Sequence, residues 1–133
     1  ILESAPELDL IPVAREAETV AIATGLIVGG KKPVVLIQNT GLFESGDSIR
    51  GLASDAHVPM VMLVGYRGWT RHGRTPDSAA RNTEPTLRAW GLPYYLVEND
   101  GDADRISLAF EDSERIRQPI VVLIGDEYHG FNR

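Results

Sequence analysis

Three short stretches hold the residues best suited to chemistry. The first is AREAETVAIATG, residues 14–25, which reads as the opening of a helix with two carboxylates in its first turn, Glu16 and Glu18. A first-turn carboxylate is favoured by the helix dipole by roughly 0.3–1 kcal/mol, which is reason enough for both as structural residues. Their rows differ, however. Val20, Ala23 and Ile27 follow Glu16 at i+4, i+7 and i+11, so Glu16 heads an apolar stripe, whereas Glu18 shares its row with Ile22 and Gly25. A carboxyl at the head of an inward-facing stripe is placed to share a proton with a bound group. The second stretch is Gln38-Asn39-Thr40-Gly41. Its side chains can hydrogen-bond a ligand, and Gly41 lets backbone approach one closely; a polar turn capping the next helix is the competing reading. The third is GYRGWTRHGR, residues 65–74, with Arg67, Arg71, His72 and Arg74 and no acid. Arginine binds carboxylate, sulfonate or phosphonate through two donors, and histidine can carry a proton. A solvated loop or an interface salt-bridge set accounts for the same residues.

The elements that must position these groups are legible as alternation. Apolar runs at Leu8–Val13, Pro33–Gln38, Val58–Gly65, Tyr94–Val97 and Pro119–Gly125 read as strands. VVLIQ, PMVMLVG and PIVVLIG are nearly all apolar, as strands covered on both faces are. Between them, helices are expected over Glu16–Val28, stopped by Gly29-Gly30, from Ser45 or Asp47 to about Ala56, from Thr83 to Trp90 with Pro85 near its start, and over Ala103–Arg117 capped by Asp102. Arg67–Asn82 is expected to be a long polar loop. The pattern predicts an α/β fold: an open, mostly parallel sheet with helices on both faces. Ligands of such sheets sit at the carboxyl ends of the strands, here the loops 14–16, 39–46, 66–82, 98–102 and 125–133.

Bulk properties narrow the class. The chain has 133 residues, enough for one domain with a core, is 43% hydrophobic and has no cysteine, so disulfides and thiolate metal sites are excluded. The net charge of −6 argues against broad nucleic-acid binding. No apolar run approaches the roughly 20 residues of a membrane span, and a cytoplasmic protein is the default expectation. No GxGxxG or P-loop pattern is present.

Three elements in order, RExE at 15–18, GKKPVVLIQNTGL at 30–42 and VPMVMLVGYRG at 58–68, with Gly25 nine positions after Glu16, resemble the pyrimidine-binding (Pyr) domain of thiamine diphosphate enzymes. Within that superfamily the likeness is to the alpha subunits of the sulfopyruvate and phosphonopyruvate decarboxylase group. It covers about residues 10–125 and is strongest in 14–68. The resemblance implies that the whole chain, 1–133, is a single Pyr-type domain. It also implies a further helix and strand ahead of residue 1, so the first strand of the fold is expected to be missing or not shown and earlier residues to precede Ile1.

The resemblance further implies a function. Glu16 would hydrogen-bond N1′ of the cofactor's aminopyrimidine in a water-poor pocket and so assist removal of the cofactor's C2 proton. Gln38, Asn39, Thr40 and Gly41 would line the cofactor, and Arg67, Arg71 and His72 the anionic substrate. The family holds the diphosphate through Mg²⁺ with a GDG motif followed by Asn. Here Asn99-Asp100-Gly101-Asp102 and Gly125-Asp126 read as turns, and no metal site is expected in this chain. A separate beta subunit carrying the diphosphate-binding (PP) domain would supply thiamine diphosphate's other end and its Mg²⁺, in a hetero-oligomer with two or more copies of each subunit. The expected reaction is decarboxylation of a small anionic 2-oxo acid such as sulfopyruvate or phosphonopyruvate. Phe43 and Glu44 stand where smaller residues are expected in the family, which leaves the substrate open. Carboligation of the acetolactate synthase kind and a non-catalytic α/β scaffold are the alternatives.

Overall fold

The computed structural model describes residues 7–125. Four parallel strands, β1 (Val34–Gln38), β2 (Val61–Gly65), β3 (Tyr94–Val97) and β4 (Ile120–Ile124), form one sheet in the order β1-β2-β4-β3. Val34 pairs with Val61 and Val61 with Ile120, while Val97 pairs with Ile124, so the carboxyl ends of all four strands lie along one edge.

The helices are α1 (Glu16–Val28), α2 (Asn39–Glu44), a single turn α3 (Gly46–Ser48) that runs into a π-helical segment at Ile49–Ser54, α4 (Ser78–Ala89) and α5 (Asp104–Ile116). Side chains alternate across the pleat, and the two sets meet different helices. Val35, Met62, Val64, Val121 and Leu123 pack with Val20 and Ala23 of α1, Leu42 of α2, Ile49 and Ala53 of the π segment and Ala80 and Leu87 of α4. Val61, Ile120 and Val122 pack with Ala109 of α5, flanked by Ile106 and Phe110. The chain steps from β1 to β2 to β3 in one direction and back to β4 in the other. Right-handed crossovers therefore put α4 and α5 on opposite faces. The α5 face does not reach across β1, where Val34 and Leu36 stay 42% and 45% exposed.

Helix α1 ends as expected. Gly30, at φ +79°, is the left-handed residue of a Schellman stop in which Lys31 N–H donates to Leu26 O and Gly30 N–H to Ile27 O. Four expectations are corrected. Leu8–Val13 is not a strand. Leu8, Leu10 and Ile11 are each more than half exposed, and Pro12 lacks the N–H a ladder needs, so these residues have no strand to pair with among those described. The helix expected from Ser45 or Asp47 to about Ala56 is present as α3 and the π segment, from Gly46 to Ser54. It is preceded by an unexpected helix, α2, that begins at Asn39 directly on the end of β1 and meets it at Ser45, whose hydroxyl donates to Gly41 O. Asn, Thr and Gly are weak helix formers, and tertiary anchors override that preference here.

The third correction concerns α4, which starts at Ser78 rather than Thr83 and so shortens the expected 67–82 loop. Asp77 is its cap, accepting from Ala79 N–H at 2.8 Å. Thr83 is a buried mid-helix residue whose hydroxyl donates back to Ala79 O, and Pro85 lies inside the helix. At α5, Asp102 caps nothing. It accepts from Glu98 N–H, and the helix stops at Ile116 because Arg117 turns left-handed at φ +55°.

Candidate active site

The site is built where α1 and α2 meet beside the carboxyl ends of the strands. Glu16, the first residue of α1, is partly buried, and Val20 and Ala23 behind it are fully inside. Glu18, Ile22 and Gly25 lie on the exposed side of the same helix, so the two glutamates divide as their rows predict. The Glu16 side chain rests on Gly41 of α2. A Cβ at residue 41 would stand 2.2 Å from Glu16 Cγ and 2.9 Å from its Oε1. Glycine at 41 thus makes room for a side chain of the protein itself.

Helix α1 has no side-chain cap of its own. Glu44, the last residue of α2, takes that part: Oε2 accepts from Ala17 N–H at 2.8 Å and Oε1 from Arg15 Nη2 at 2.7 Å. The Arg15 hydrogen bond first, and the Ala17 amide second, hold the Glu44 carboxyl below the usual carboxylate range. Glu44 is a residue whose role the sequence did not disclose, because its partners lie 27 and 29 positions away.

Asn39 is wholly buried. Its amide nitrogen donates to Arg67 O at 3.0 Å and to Thr83 Oγ1 at 3.2 Å. One side chain therefore ties the start of α2 to the loop after β2 and to the middle of α4. Both partners accept, which fixes which end of the amide is nitrogen. Asn39 Oδ1 is a buried side-chain oxygen left without a partner among the described residues. Of its neighbours, Gln38 and Thr40 are exposed and bonded to each other, Thr40 Oγ1 donating to Gln38 Oε1.

Arg67 leaves the carboxyl end of β2 and is 55% exposed. The 65–74 stretch contains no acid, but the fold brings one in: Arg67 Nε donates to Asp77 Oδ2 at 3.0 Å. The Arg67 hydrogen bond holds Asp77 below its usual pKa, so one carboxylate both caps α4 and steadies Arg67. Arg71 and His72 lie exposed farther along the loop. The cap was readable as Asp before a Ser-Ala-Ala run, a signal overshadowed by Thr83-Glu84-Pro85.

Beside this loop lies a hollow of about 270 Å³ lined by Tyr66, Trp69, Thr70, Arg81, Glu84 and Arg88 among others. Glu84 is the hub on its wall, accepting from Tyr66 Oη, Tyr94 Oη and Arg88. Burial first, and the Glu84 charge second, push the Tyr66 phenol up to about 12. Glu16 is not among the residues lining this hollow. Among the described residues no group of three or more His, Cys, Asp or Glu is set to hold a metal, and no helix is long and apolar enough to cross a membrane. The expected loop 125–133 lies, beyond Gly125, outside the described residues.

No family model matches the chain. Curated proteins do. The chain is 31% identical over 135 residues to the sulfopyruvate decarboxylase subunit alpha of Methanocaldococcus jannaschii, covering 99% of this chain and 79% of that one. It belongs to the sulfopyruvate decarboxylase alpha-subunit family. The Methanococcus maripaludis alpha subunit is 27% identical over 92% of the chain and 74% of its own length. A longer protein named sulfopyruvate decarboxylase, from Methanosarcina acetivorans, is 29% identical over 85% of this chain but only 30% of its own length. The RExE, QNTG and YRG stretches lie at the start of α1, the β1–α2 junction and the exit from β2. The first two meet through Glu16 and Gly41, and the last two through Asn39.

Proposed function

We propose that this chain is the pyrimidine-binding alpha subunit of a thiamine diphosphate-dependent decarboxylase acting on a small anionic 2-oxo acid, sulfopyruvate foremost. Glu16 carries the reading: a partly buried carboxyl at a helix start, seated on a glycine beside the carboxyl edge of a parallel sheet. The names of the relatives support the substrate and the word subunit. The long Methanosarcina relative supports the division of labour, since this chain matches less than a third of a protein bearing the decarboxylase name.

The residues fit the pyrimidine end of the cofactor. When bound, thiamine diphosphate supplies an electron sink for the pair released as carbon dioxide leaves. Glu16 holds the proton shared with the ring nitrogen N1′, and Gly41 fixes where that carboxyl stands. The unsatisfied Asn39 Oδ1 next to this junction supports arrival of a donor on assembly, because an orphan buried acceptor costs roughly 1–3 kcal/mol. Gln38 and Thr40 offer exposed polar groups at the same rim. Arg67, steadied through Nε by Asp77, presents the rest of its guanidinium to the substrate's anionic tail, with Arg71 and His72 farther out on the loop. The diphosphate and Mg²⁺ fall to a PP-domain beta subunit, so that the active site lies between chains, two or more of each.

The test is Glu16→Gln in the assembled complex. Turnover of sulfopyruvate, followed by release of carbon dioxide, is expected to fall at least about 100-fold. Assembly, followed by size-exclusion chromatography, is expected to be unchanged. Near-normal turnover would remove Glu16 from the mechanism.

A further inference from the structure

We infer that Glu44 is the positioning residue of this site, holding the first turn of α1 so that Glu16 presents its carboxyl in one orientation. The inference rests on the reading of Glu16 above. Three contacts carry it. Glu44 grips the residues on either side of Glu16, Arg15 through its guanidinium and Ala17 through its amide. Glu16 itself lies on Gly41, one helical turn before Glu44 in α2. Backbone and side chain of the carboxyl-bearing residue are thus both located by one short helix, and Arg15, the residue at the cap position, makes no side-chain cap of its own. Freed of Glu44, the first turn has an orphan Ala17 N–H and frays, as uncapped helix ends do. Its first residue, Glu16, frays with it. Because Glu44 is exposed and its hydrogen bonds go to Arg15 and the Ala17 amide, its removal loosens the orientation of Glu16 without taking a side chain out of the core.

The experiment compares Glu44→Ala, Glu44→Gln, Arg15→Ala and Glu16→Gln in the full chain assembled with its beta-type partner. Two readouts are taken: hydrogen exchange at the Ala17 amide, and kcat and KM for sulfopyruvate at saturating thiamine diphosphate. Glu44→Ala is expected to speed Ala17 exchange at least about tenfold and to lower kcat about tenfold, with KM changed less than about twofold. Glu44→Gln, which keeps a neutral oxygen for the amide, recovers most of both. Arg15→Ala, which removes one of the two grips and leaves the capping carboxylate, is expected to change both readouts in the same direction as Glu44→Ala but less. Unchanged Ala17 exchange, or unchanged kcat in Glu44→Ala while Glu16→Gln is inactive, overturns the role of Glu44 and leaves that of Glu16 standing. Full activity in Glu16→Gln overturns the reading of the site itself. If Glu44→Ala does not assemble, Glu44→Ser, whose shorter side chain gives up the Ala17 amide, takes its place: faster exchange with a proportionate loss of kcat supports the inference, and unchanged exchange or parental kcat refutes it.

Discussion

Gly41 shows how one absent Cβ organises a site. With 2.2 Å between a Cβ there and Glu16 Cγ, Gly41→Ala forces the glutamate side chain to another rotamer while leaving the helix able to form. A misplacement of about 1 Å at a reacting group can cost about 100-fold. Gly41→Ala is therefore expected to lower turnover of the assembled enzyme by about that factor, with its circular dichroism unchanged; parental turnover would mean that Glu16 works from elsewhere. Arg67 is the residue proposed to meet the substrate's anionic tail, and its Nε is already paired with Asp77. Arg67→Ala is expected to raise KM for sulfopyruvate about tenfold with kcat nearly unchanged, in steady-state kinetics. An unchanged KM would take Arg67 out of the substrate site.

Among the elements, α4 does more than cover the sheet. Its cap residue Asp77 meets Arg67, and its Thr83 receives the Asn39 amide, so the helix braces both the β2 loop and the β1–α2 junction. Asp77→Ala removes the cap and is expected to cost about 1 kcal/mol, lowering Tm by about 4 °C at pH 7. The sign with pH follows from the lowered pKa of Asp77, set first by the Arg67 hydrogen bond. The native state favours the ionised form. The stability Asp77 contributes is thus present above the unfolded-state value of about 3.9 and is lost as pH falls through the lower folded-state value. The Tm gap between parent and variant is expected to hold at neutral pH and to close in acid, by calorimetry. A gap that persists in strong acid would assign it to something other than the carboxylate.

At the scale of the whole molecule, the described residues bring the three chemical stretches to one edge of the sheet, and Glu16 is not among the residues lining the hollow beside the 65–74 loop. A cofactor held at one end by this chain and at the other by a partner binds tightly only when both are present. Isothermal titration with thiamine diphosphate and Mg²⁺ is expected to give heat of binding in the complex and little in this chain alone. Binding of equal strength without the partner would contradict the split site, and no binding in either case would favour the scaffold alternative.

The sequence by itself determined what depends on neighbours a few positions apart. Runs such as PMVMLVG and PIVVLIG read as covered strands and are, whereas VVLIQ, read the same way, is covered on one face only. The row of Val20, Ala23 and Ile27 put Glu16 at the edge of the core and Glu18 outside it. The fold class and the limits of α1 follow from the same short-range pattern. Tertiary structure alone decided everything that rests on long separations. Leu8–Val13 has the composition of a strand but pairs with none among the described residues, and no local pattern reports the absence of a neighbour. Asn39-Thr40-Gly41 is helical because Asn39 is anchored 28 and 44 residues away, against the preference of its own residue types. Glu44 caps a helix that starts more than 25 residues before it, and Asp77 supplies the acid that the 65–74 stretch lacks. Hydrogen bonds and close packing are decided by distance in space, and a chain that folds back on itself makes its decisive contacts between residues its linear order keeps apart.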